Sequence, residues 1–269
     1  MLTQHIVAEA AAAAGIPVPG RYLEVTGSTN ADLAAMAAAG APAWTVMVAG
    51  HQESGRGRLG RAWESKPGQS LLVSVLLRPS LRPEDAPLLS VAAAVAVVET
   101  ARTAGITEAR AKWPNDVMVG DRKLAGILPE ASVTGGALDH LVIGVGLNVS
   151  QGSTDFPEVI RESATSVALE RGSPDPADVL PQLLIGLRRW LEPDDGLRDR
   201  VLSRYRELCS TLGRRVRATV SLGREVEGVA VGIGPRGELI VETDRATETV
   251  GFGEITHLDQ GLPGPSPEG

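Results

Sequence analysis

The stretch that decides how this chain is interpreted is Gly55-Arg56-Gly57-Arg58-Leu59-Gly60-Arg61. Its first six residues match the dinucleotide-binding pattern G-x-G-x-x-G, which requires a strand before the glycines and a helix after them. Here a short apolar run (43–49) precedes the loop, and the strand-like run Ser70–Leu77 follows it after a Pro67-Gly68 turn. The required helix is missing, so we do not expect a dinucleotide site. A P-loop sequence is absent, and so are the His-Arg-Asp and Asp-Phe-Gly sequences that accompany a protein-kinase glycine loop.

The residue types of this loop have two alternative interpretations. Glycines let backbone N–H groups approach a ligand closely, and arginines present fixed forks of donors that suit carboxylates and phosphates. The loop is therefore either an anion-binding loop or a solvated arginine loop. Because its like charges repel when the site is empty, we predict a mobile loop that becomes ordered on an anionic ligand.

The pattern of the whole chain predicts an α+β domain at residues 1–212, a small β domain at 213–260 and a disordered tail at 261–269. In the first part, strand-like and helix-like segments are mixed. The predicted strands are 21–25, 43–49, 70–77, 109–113, 117–119, 124–128 and 138–149, and the predicted helices are 1–15, 31–39, 88–104, 164–171, 176–191 and 196–212. From residue 214 the pattern alternates with a period of two over four or five short strands, which is typical of a small barrel.

Composition excludes several classes of function. A net charge of −7 and a pI near 5.2 argue against general affinity for nucleic acid. No run of 18 apolar residues and no signal peptide is recognised, so we expect neither a membrane span nor export. The single cysteine, Cys209, excludes an internal disulfide and suits a reducing compartment. These features predict a soluble cytoplasmic protein, and the four histidines have no metal-ligand spacing.

Four other strings contain polar residues or glycines at the ends or within the interior of predicted elements. They are Gly-Ser-Thr-Asn (27–30), Lys-Trp-Pro-Asn-Asp (112–116), Lys-Leu-Ala-Gly-Ile-Leu (123–128) and Gly-Val-Gly-Leu-Asn (144–148). Each has an ordinary interpretation: a helix cap, a strand-to-turn junction, a solvated lysine and a β-bulge. Each also suits a ligand site, since glycines within a buried strand permit close approach of another group.

Taken in order with the Gly-Arg loop, these strings resemble the biotin–protein ligase family, over about residues 20–258. The resemblance implies a catalytic domain like that of class II aminoacyl-tRNA synthetases, with a central mixed or antiparallel sheet and flanking helices, followed by a small SH3-like β-barrel. It implies a two-step reaction, in which biotin and ATP form biotinyl-5′-AMP and the biotinyl group then passes to a lysine of a carrier protein. A free carboxylate resists attack by an amine, whereas an acyl phosphate has a good leaving group.

The resemblance also implies roles for individual residues. Residues implied to bind biotin are Ser28, Thr29, Asn30, Gln52, Arg56, Gly57, Arg58 and Lys123. Those implied to contact ATP or the adenylate are Gly55, Arg58, Arg61, Trp63, Asn115, Asp116 and Asn148. Lys123, Arg58 and Asp116 are implied to be catalytic, and Asp116 is also implied to position Mg²⁺ with the ATP phosphates.

The implied partner is the biotin carboxyl carrier domain of an acyl-CoA carboxylase. Relatives with a second function carry a DNA-binding winged-helix domain, for which the 27 residues before Ser28 are too few, so we expect no DNA binding. We expect a monomer or a weak homodimer. Pro129 departs from the family pattern and makes strand pairing there an open question. A lipoate–protein ligase and a non-catalytic biotin-binding or interaction protein remain the alternatives.

Overall fold

The computed structural model describes residues 1–172, 174–219, 224–251 and 253–258, and these residues form two sheets. The larger sheet has seven strands: β1 (Arg21–Thr26), β2 (Val46–Gln52), β3 (Ser70–Leu77), β4 (Arg110–Lys112), β5 (Asp116–Val119), β6 (Arg122–Thr134) and β7 (Ala137–Asn148). The α-helices are α1 (Gln4–Ala13), α2 (Thr29–Ala38), α3 (Pro87–Thr103), α4 (Val167–Arg171), α5 (Pro176–Leu191) and α6 (Leu197–Leu208). The tail predicted to be disordered, 261–269, lies outside the described residues.

The larger sheet is mixed, with the order β1-β2-β3-β7-β6-β5-β4. Strands β1 and β2 are parallel and are joined through α2, whereas the other neighbouring pairs are antiparallel. The predicted α+β class with a central mixed sheet is therefore confirmed. The apolar run Ser70–Leu77 is a central strand, buried at every position because both faces of the sheet are covered.

Helices cover the two faces of the sheet unequally. Helix α3 is buried almost all round, since it packs on the sheet and is covered by α5 and α6. Helix α2 lies on the opposite face, where Leu33 and Ala37 form a small core with Met47, Leu76 and Val142. Because α2 covers only part of that face, the sheet beside its N-terminus is left for other groups.

The smaller sheet is antiparallel and has the order β11-β10-β9-β8-β12. Its strands are β8 (Arg215–Thr219), β9 (Glu225–Ile233), β10 (Leu239–Glu242), β11 (Thr247–Val250) and β12 (Glu254–His257), in agreement with the predicted small β domain. The sheet docks on the part of the chain that carries the larger sheet, through the buried side chain of Trp113, whose Nε1 donates to the carbonyl of Gly237 at 2.8 Å. The boundary at residues 212 and 213 stays a prediction.

Two helix predictions were too long, and in both cases backbone pairing ended the helix. The segment predicted as helix from 164 starts instead with Ala164 in a bridge to Lys123, and α4 begins only after Ser166, whose hydroxyl accepts from the N–H of Leu169. The last helix ends at Leu208, not at Leu212, because Cys209 forms a bridge with Ala111. In each case tertiary pairing outweighed local helix propensity.

Pro129 does not interrupt the sheet. It lies inside β6, which is longer than the predicted 124–128, and it pairs with Ile143 in continuous register. The N–H of Ile127 points to the β5 side, where it donates to Asn115, so by alternation the nitrogen of Pro129 faces that side too. Strand β5 pairs with β6 only as far as Gly126. The proline therefore lacks a donor where no strand needs one.

One helical run, Pro83–Thr103, has the length and apolar composition of a membrane span. It is largely buried within the protein, because it contains α3, the central helix of the core. Among the described residues, no other helix meets these criteria.

Candidate active site

One face of strand β7 forms the floor of the candidate site. Side chains alternate along the strand, so Gly144, Gly146 and Asn148 face α2 and the Gly-Arg loop while the residues between them face the main core. A Cβ atom on Gly144 would lie 2.4 Å from Oδ1 of Asn30, and one on Gly146 would lie 2.5 Å from the ring of Trp63. The two glycines thus admit an amide and an indole against the strand backbone.

The N-terminus of α2 carries a buried polar network. Ser28 caps the helix by accepting from Ala31, and the N–H and hydroxyl of Thr29 both donate to Oε1 of Gln52 at 2.8 Å. The hydroxyl of Ser74, on the neighbouring strand β3, lies 2.7 Å from Oγ1 of Thr29 and 2.6 Å from Oδ1 of Asn30. These contacts fix the orientation of each polar group before any ligand arrives.

The Gly-Arg loop is a small hairpin between β2 and β3, which we call the lid hairpin (residues 55–63). The N–H of Trp63 donates to the carbonyl of Gly55, and the N–H of Gly57 donates to the carbonyl of Arg61. A 3₁₀ turn forms the tip of the hairpin. A Cβ atom on Gly55 would lie 2.4 Å from the Trp63 carbonyl, so the hairpin needs glycine there. As expected, no helix follows the glycines.

Two arginines of the lid hairpin contact the larger sheet. A terminal nitrogen of Arg56 lies 3.3 Å from a carboxylate oxygen of Glu130 on β6. Arg58 donates to Oδ1 of Asn115 at 3.2 Å, and Nδ2 of Asn115 donates in turn to the carbonyl of Ile127. Asn115 is therefore held by the backbone of β6 and holds the lid hairpin.

Lys123 and Asp116 form an ion pair at the start of β6, with 2.6 Å between Nζ and Oδ1. The same ammonium group lies 5.7 Å from the centre of the Trp63 ring, within the range of a cation–π contact. The backbone of Lys123 is held on its other side by Ser163 and Thr165. The ammonium group of Lys123 thus lies between a carboxylate and an aromatic face, and both the backbone and the side chain of this lysine are restrained.

Two adjoining cavities meet at these residues. The smaller, about 50 Å³, is lined by all eight residues predicted to bind biotin, and the larger, about 360 Å³, by six of the seven predicted to contact ATP. The exception is Gly55, which lines neither cavity and instead closes the hairpin. Five residues line both cavities: Gly57, Arg58, Trp63, Asn115 and Lys123. A ligand in one cavity would therefore meet a ligand in the other beside the lid hairpin and Lys123.

Sequence reasoning missed several residues of the site. Ser74 was detectable, because Ser70 and Ser74 interrupt an otherwise apolar strand four residues apart and so share one face. Glu130, which joins Asn30 and Arg56, was not among the predicted site residues. The larger cavity is also lined by Lys112, which belongs to the string 112–116 but was given no role. It contains residues from distant segments that carry no local signal: Phe156, Ile160, Ser163, Ala164, Gly253 and Ile255.

The described residues include no group of three or more histidine, cysteine or acidic side chains able to hold a metal ion. Asp116 is a carboxylate at the larger cavity, and its Oδ1 is engaged by Lys123. The donor set does not suit an all-protein magnesium cage, but it suits an ion that brings phosphate and water ligands with it.

The arginines near the C-terminal sheet are engaged within the protein. Arg204 pairs with Glu99 and Glu207, and Arg215 and Arg217 pair with Glu227. These ion pairs favour a structural role for these arginines over a phosphate-binding site.

Comparisons with known proteins agree with this architecture. Residues 22–148 match the model of the Biotin/lipoate A/B protein ligase family, and residues 211–258 match the biotin protein ligase C-terminal domain. The first match contains the lid hairpin and the floor of both cavities, and the second covers the smaller sheet.

Relatives that match most of the chain define the family more closely than the family model does. The biotin–[acetyl-CoA-carboxylase] ligase of Mycobacterium tuberculosis is 36% identical over 251 residues, which cover 88% of this chain and 90% of that protein. The bifunctional ligase/repressor BirA of Bacillus subtilis is 31% identical over 87% of this chain and 72% of its own length. A biotin protein ligase from Aquifex aeolicus, solved in complex with biotin and ATP, has a TM-score of 0.73 at 26% identity and covers 88% of this chain and 98% of that one. The chain belongs to the biotin protein ligase family.

Proposed function

We infer that this chain is an ATP-dependent ligase that forms biotinyl-5′-AMP from biotin and ATP and transfers biotin to a lysine of a biotin carboxyl carrier domain. The observation that carries this inference is the pair of adjoining cavities that share Arg58, Asn115 and Lys123. An acid in the smaller cavity and a nucleotide in the larger one would bring a carboxylate and an α-phosphate to the same place. Such proximity is a large part of catalysis for a two-substrate reaction.

In the first step, a carboxylate oxygen of biotin attacks the α-phosphorus and pyrophosphate leaves. Lys123 can stabilise the negative charge shared between the carboxylate and the phosphate, because its ammonium lies where the cavities meet. Arg58 supplies a second positive charge from the lid hairpin, and Asp116 holds the ammonium in place at 2.6 Å. In the second step, the lysine amine of the carrier attacks the acyl carbon, loses a proton and expels AMP.

The polar wall of the smaller cavity suits the chemistry of the biotin head group. A cyclic urea has donors and acceptors at its edges, and Ser28, Thr29, Asn30 and Gln52 bring hydroxyl and amide groups to the cavity wall. Arg56, Gly57 and Arg58 of the lid hairpin would cover the acyl phosphate and slow its loss to water. In the larger cavity, Arg61, Trp63, Asn115 and Asn148 would contact the nucleotide, while Gly55 acts through the shape of the hairpin.

Mg²⁺ would enter with ATP, with Asp116 near it and with phosphate oxygens and water as its main ligands. We expect the acyl acceptor to be the carrier domain of an acyl-CoA carboxylase, as the name of the mycobacterial relative implies for that protein. We further propose a cytoplasmic monomer or weak homodimer without affinity for DNA, and the acidic net charge of −7 supports the last of these, the lack of affinity for DNA. The division into residues 1–212 and 213–260 belongs to the same proposal.

The main rival is a lipoate–protein ligase, since the matching family model covers both activities. The polar network at Thr29, Asn30 and Gln52 favours biotin, because the dithiolane ring of lipoate offers no hydrogen-bond donors to it. The other rival is a biotin-binding protein without turnover.

One assay separates these three functions: exchange of labelled pyrophosphate into ATP with biotin, with lipoate and with no acid. We expect exchange that depends on biotin and on the divalent ion. Exchange that depends on lipoate, or the absence of exchange with either acid while biotin still binds, would contradict the proposal. Transfer is then tested with a carrier domain, by the mass increase of one biotinyl group.

A further inference from the structure

Glu130 is a carboxylate outside the predicted site residues that contacts two of them. It lies on β6, on the same face as Gly126, and its side chain is about one-third exposed. One of its oxygens accepts from Nδ2 of Asn30 at 2.7 Å, and its carboxylate lies 3.3 Å from Arg56 of the lid hairpin. It thus joins the wall of the smaller cavity to the hairpin that covers it.

The contact with Asn30 fixes the orientation of that amide. Its Nδ2 group donates to Glu130 and to the carbonyl of Leu128, and its Oδ1 lies 2.6 Å from the hydroxyl of Ser74. Both amide protons are therefore used within the protein. Asn30 has only its oxygen left for a ligand, and the position of this oxygen depends on Glu130, Leu128 and Ser74.

The contact with Arg56 restrains the lid hairpin on the side of the smaller cavity. The hairpin is also held to the sheet by the contact between Arg58 and Asn115, at the place where the two cavities meet. The side chain of Arg56 is half exposed and lines the smaller cavity, so it can move from the carboxylate of Glu130 to an anionic ligand with little rearrangement. An exchange of this kind would couple arrival of the ligand to release of the lid hairpin.

We propose that Glu130 is a positioning residue that orients Asn30 and holds Arg56 in the empty site. The substrate-bound part of this inference rests on the proposed function, whereas the part that concerns the empty protein does not. Two variants separate the two contacts. Glu130→Gln keeps an oxygen acceptor for Asn30 but removes the charge that pairs with Arg56, and Glu130→Ala removes both.

The first test is limited trypsin digestion of the ligand-free full-length protein, with cleavage after Arg56, Arg58 and Arg61 followed by mass spectrometry. We expect both variants to raise the initial cleavage rate about two- to fivefold, the range of a partly exposed ion pair. The matched control is Glu108→Gln, which removes a carboxylate paired with Arg171 far from the lid hairpin and leaves cleavage there unchanged. Cleavage of Glu130→Gln at the wild-type rate would overturn the restraint of Arg56.

The second test compares biotin KM with kcat in the pyrophosphate exchange assay. We expect Glu130→Ala to raise the KM for biotin about five- to tenfold with a smaller effect on kcat, because a misplaced Asn30 weakens binding. Glu130→Gln should recover most of that loss, and equal KM values for the two variants would overturn the role in orienting Asn30. Should Glu130→Ala not fold, Glu130→Met, which keeps most of the side-chain volume but has no oxygen acceptor, takes its place in the comparison with Glu130→Gln. Absence of exchange in the wild-type protein would contradict the proposed function alone, since the digestion test needs no substrate.

Discussion

At the scale of single residues, the site depends on a few positions where the neighbouring groups leave room for one residue type. Gly146 leaves room for the indole of Trp63, and Gly144 leaves room for the amide of Asn30. Lys123 lies between Asp116 and the Trp63 ring. These positions were detectable as strings in the sequence, but the partner of each was not, because the partners come from segments far apart in the chain.

Lys123→Ala should lower the rate of biotin-dependent pyrophosphate exchange by about 10²–10³, because it removes a charge from the point where the cavities meet. The control is Arg200→Ala, since Arg200 pairs with Asp194 at 2.7 Å and lines neither cavity. We expect the control to stay within about threefold of wild type. Near-normal exchange in Lys123→Ala would remove this lysine from the mechanism.

Gly146→Ala should displace Trp63, since the new methyl group would lie 2.5 Å from the ring. Overpacking of this kind costs about 1–3 kcal/mol, and a shifted indole should raise the KM for ATP. Urea unfolding and the exchange assay measure the two effects. Gly232→Ala, also in a strand but with its nearest non-neighbour atom at 3.5 Å, is the control. Equal effects of the two substitutions on stability and on the KM for ATP would show that the position of the indole does not depend on Gly146.

At the scale of elements, the segment after β7 is tied to the segment after the lid hairpin. Nζ of Lys66 lies 2.6 Å from Asp155 in a 3₁₀ turn, and Gln69 donates to the same carboxylate. Phe156, the next residue, lines the larger cavity. Asp155 therefore helps to position one wall of the cavity from outside it.

The hydrogen bond from Lys66, followed by that from the N–H of Gly152, lowers the pKa of the Asp155 carboxyl below its ordinary value. A lowered folded-state pKa means that this carboxylate stabilises the fold above its unfolded pKa of about 3.9, and that the contribution is lost as pH falls through the lower folded value. NMR titration of the Asp155 side chain should show the lowered midpoint. In Lys66→Met the midpoint should rise, and an unchanged midpoint would show that Lys66 is not its main cause.

At the scale of the whole molecule, the C-terminal sheet and the catalytic part share one buried tryptophan. The indole Nε1 of Trp113 donates to the carbonyl of Gly237 in the turn after β9. The backbone N–H of Trp113 donates to the hydroxyl of Thr211 at 3.1 Å. The residues that follow it, Pro114 and Asn115, line the larger cavity, and Asn115 binds Arg58. Docking of the small sheet is thereby linked to the position of the lid hairpin.

Trp113→Phe should leave the buried carbonyl of Gly237 without its donor and destabilise the protein by about 1–3 kcal/mol, as measured by urea unfolding. We also expect a higher KM for ATP, since Asn115 is two residues away. Trp190→Phe is the matched control, because Nε1 of Trp190 also donates at 2.8 Å, to Glu99, away from both cavities. The control should lose stability without a change in that KM. If both variants keep the wild-type KM, docking does not position the nucleotide cavity.

The sequence by itself determined the class of fold, most of the strands and part of the lining of the two cavities. Alternation along β7, the cap at Ser28 and the apolar run of β3 are local patterns, and local patterns can be read without knowing what packs against them. Only the tertiary structure decided where α4 and α6 begin or end, why Pro129 is tolerated, and that Glu130 joins Asn30 to Arg56. The physical reason is that these features are pairings between distant segments, whose free energy outweighs local propensity and leaves no periodic trace in the sequence.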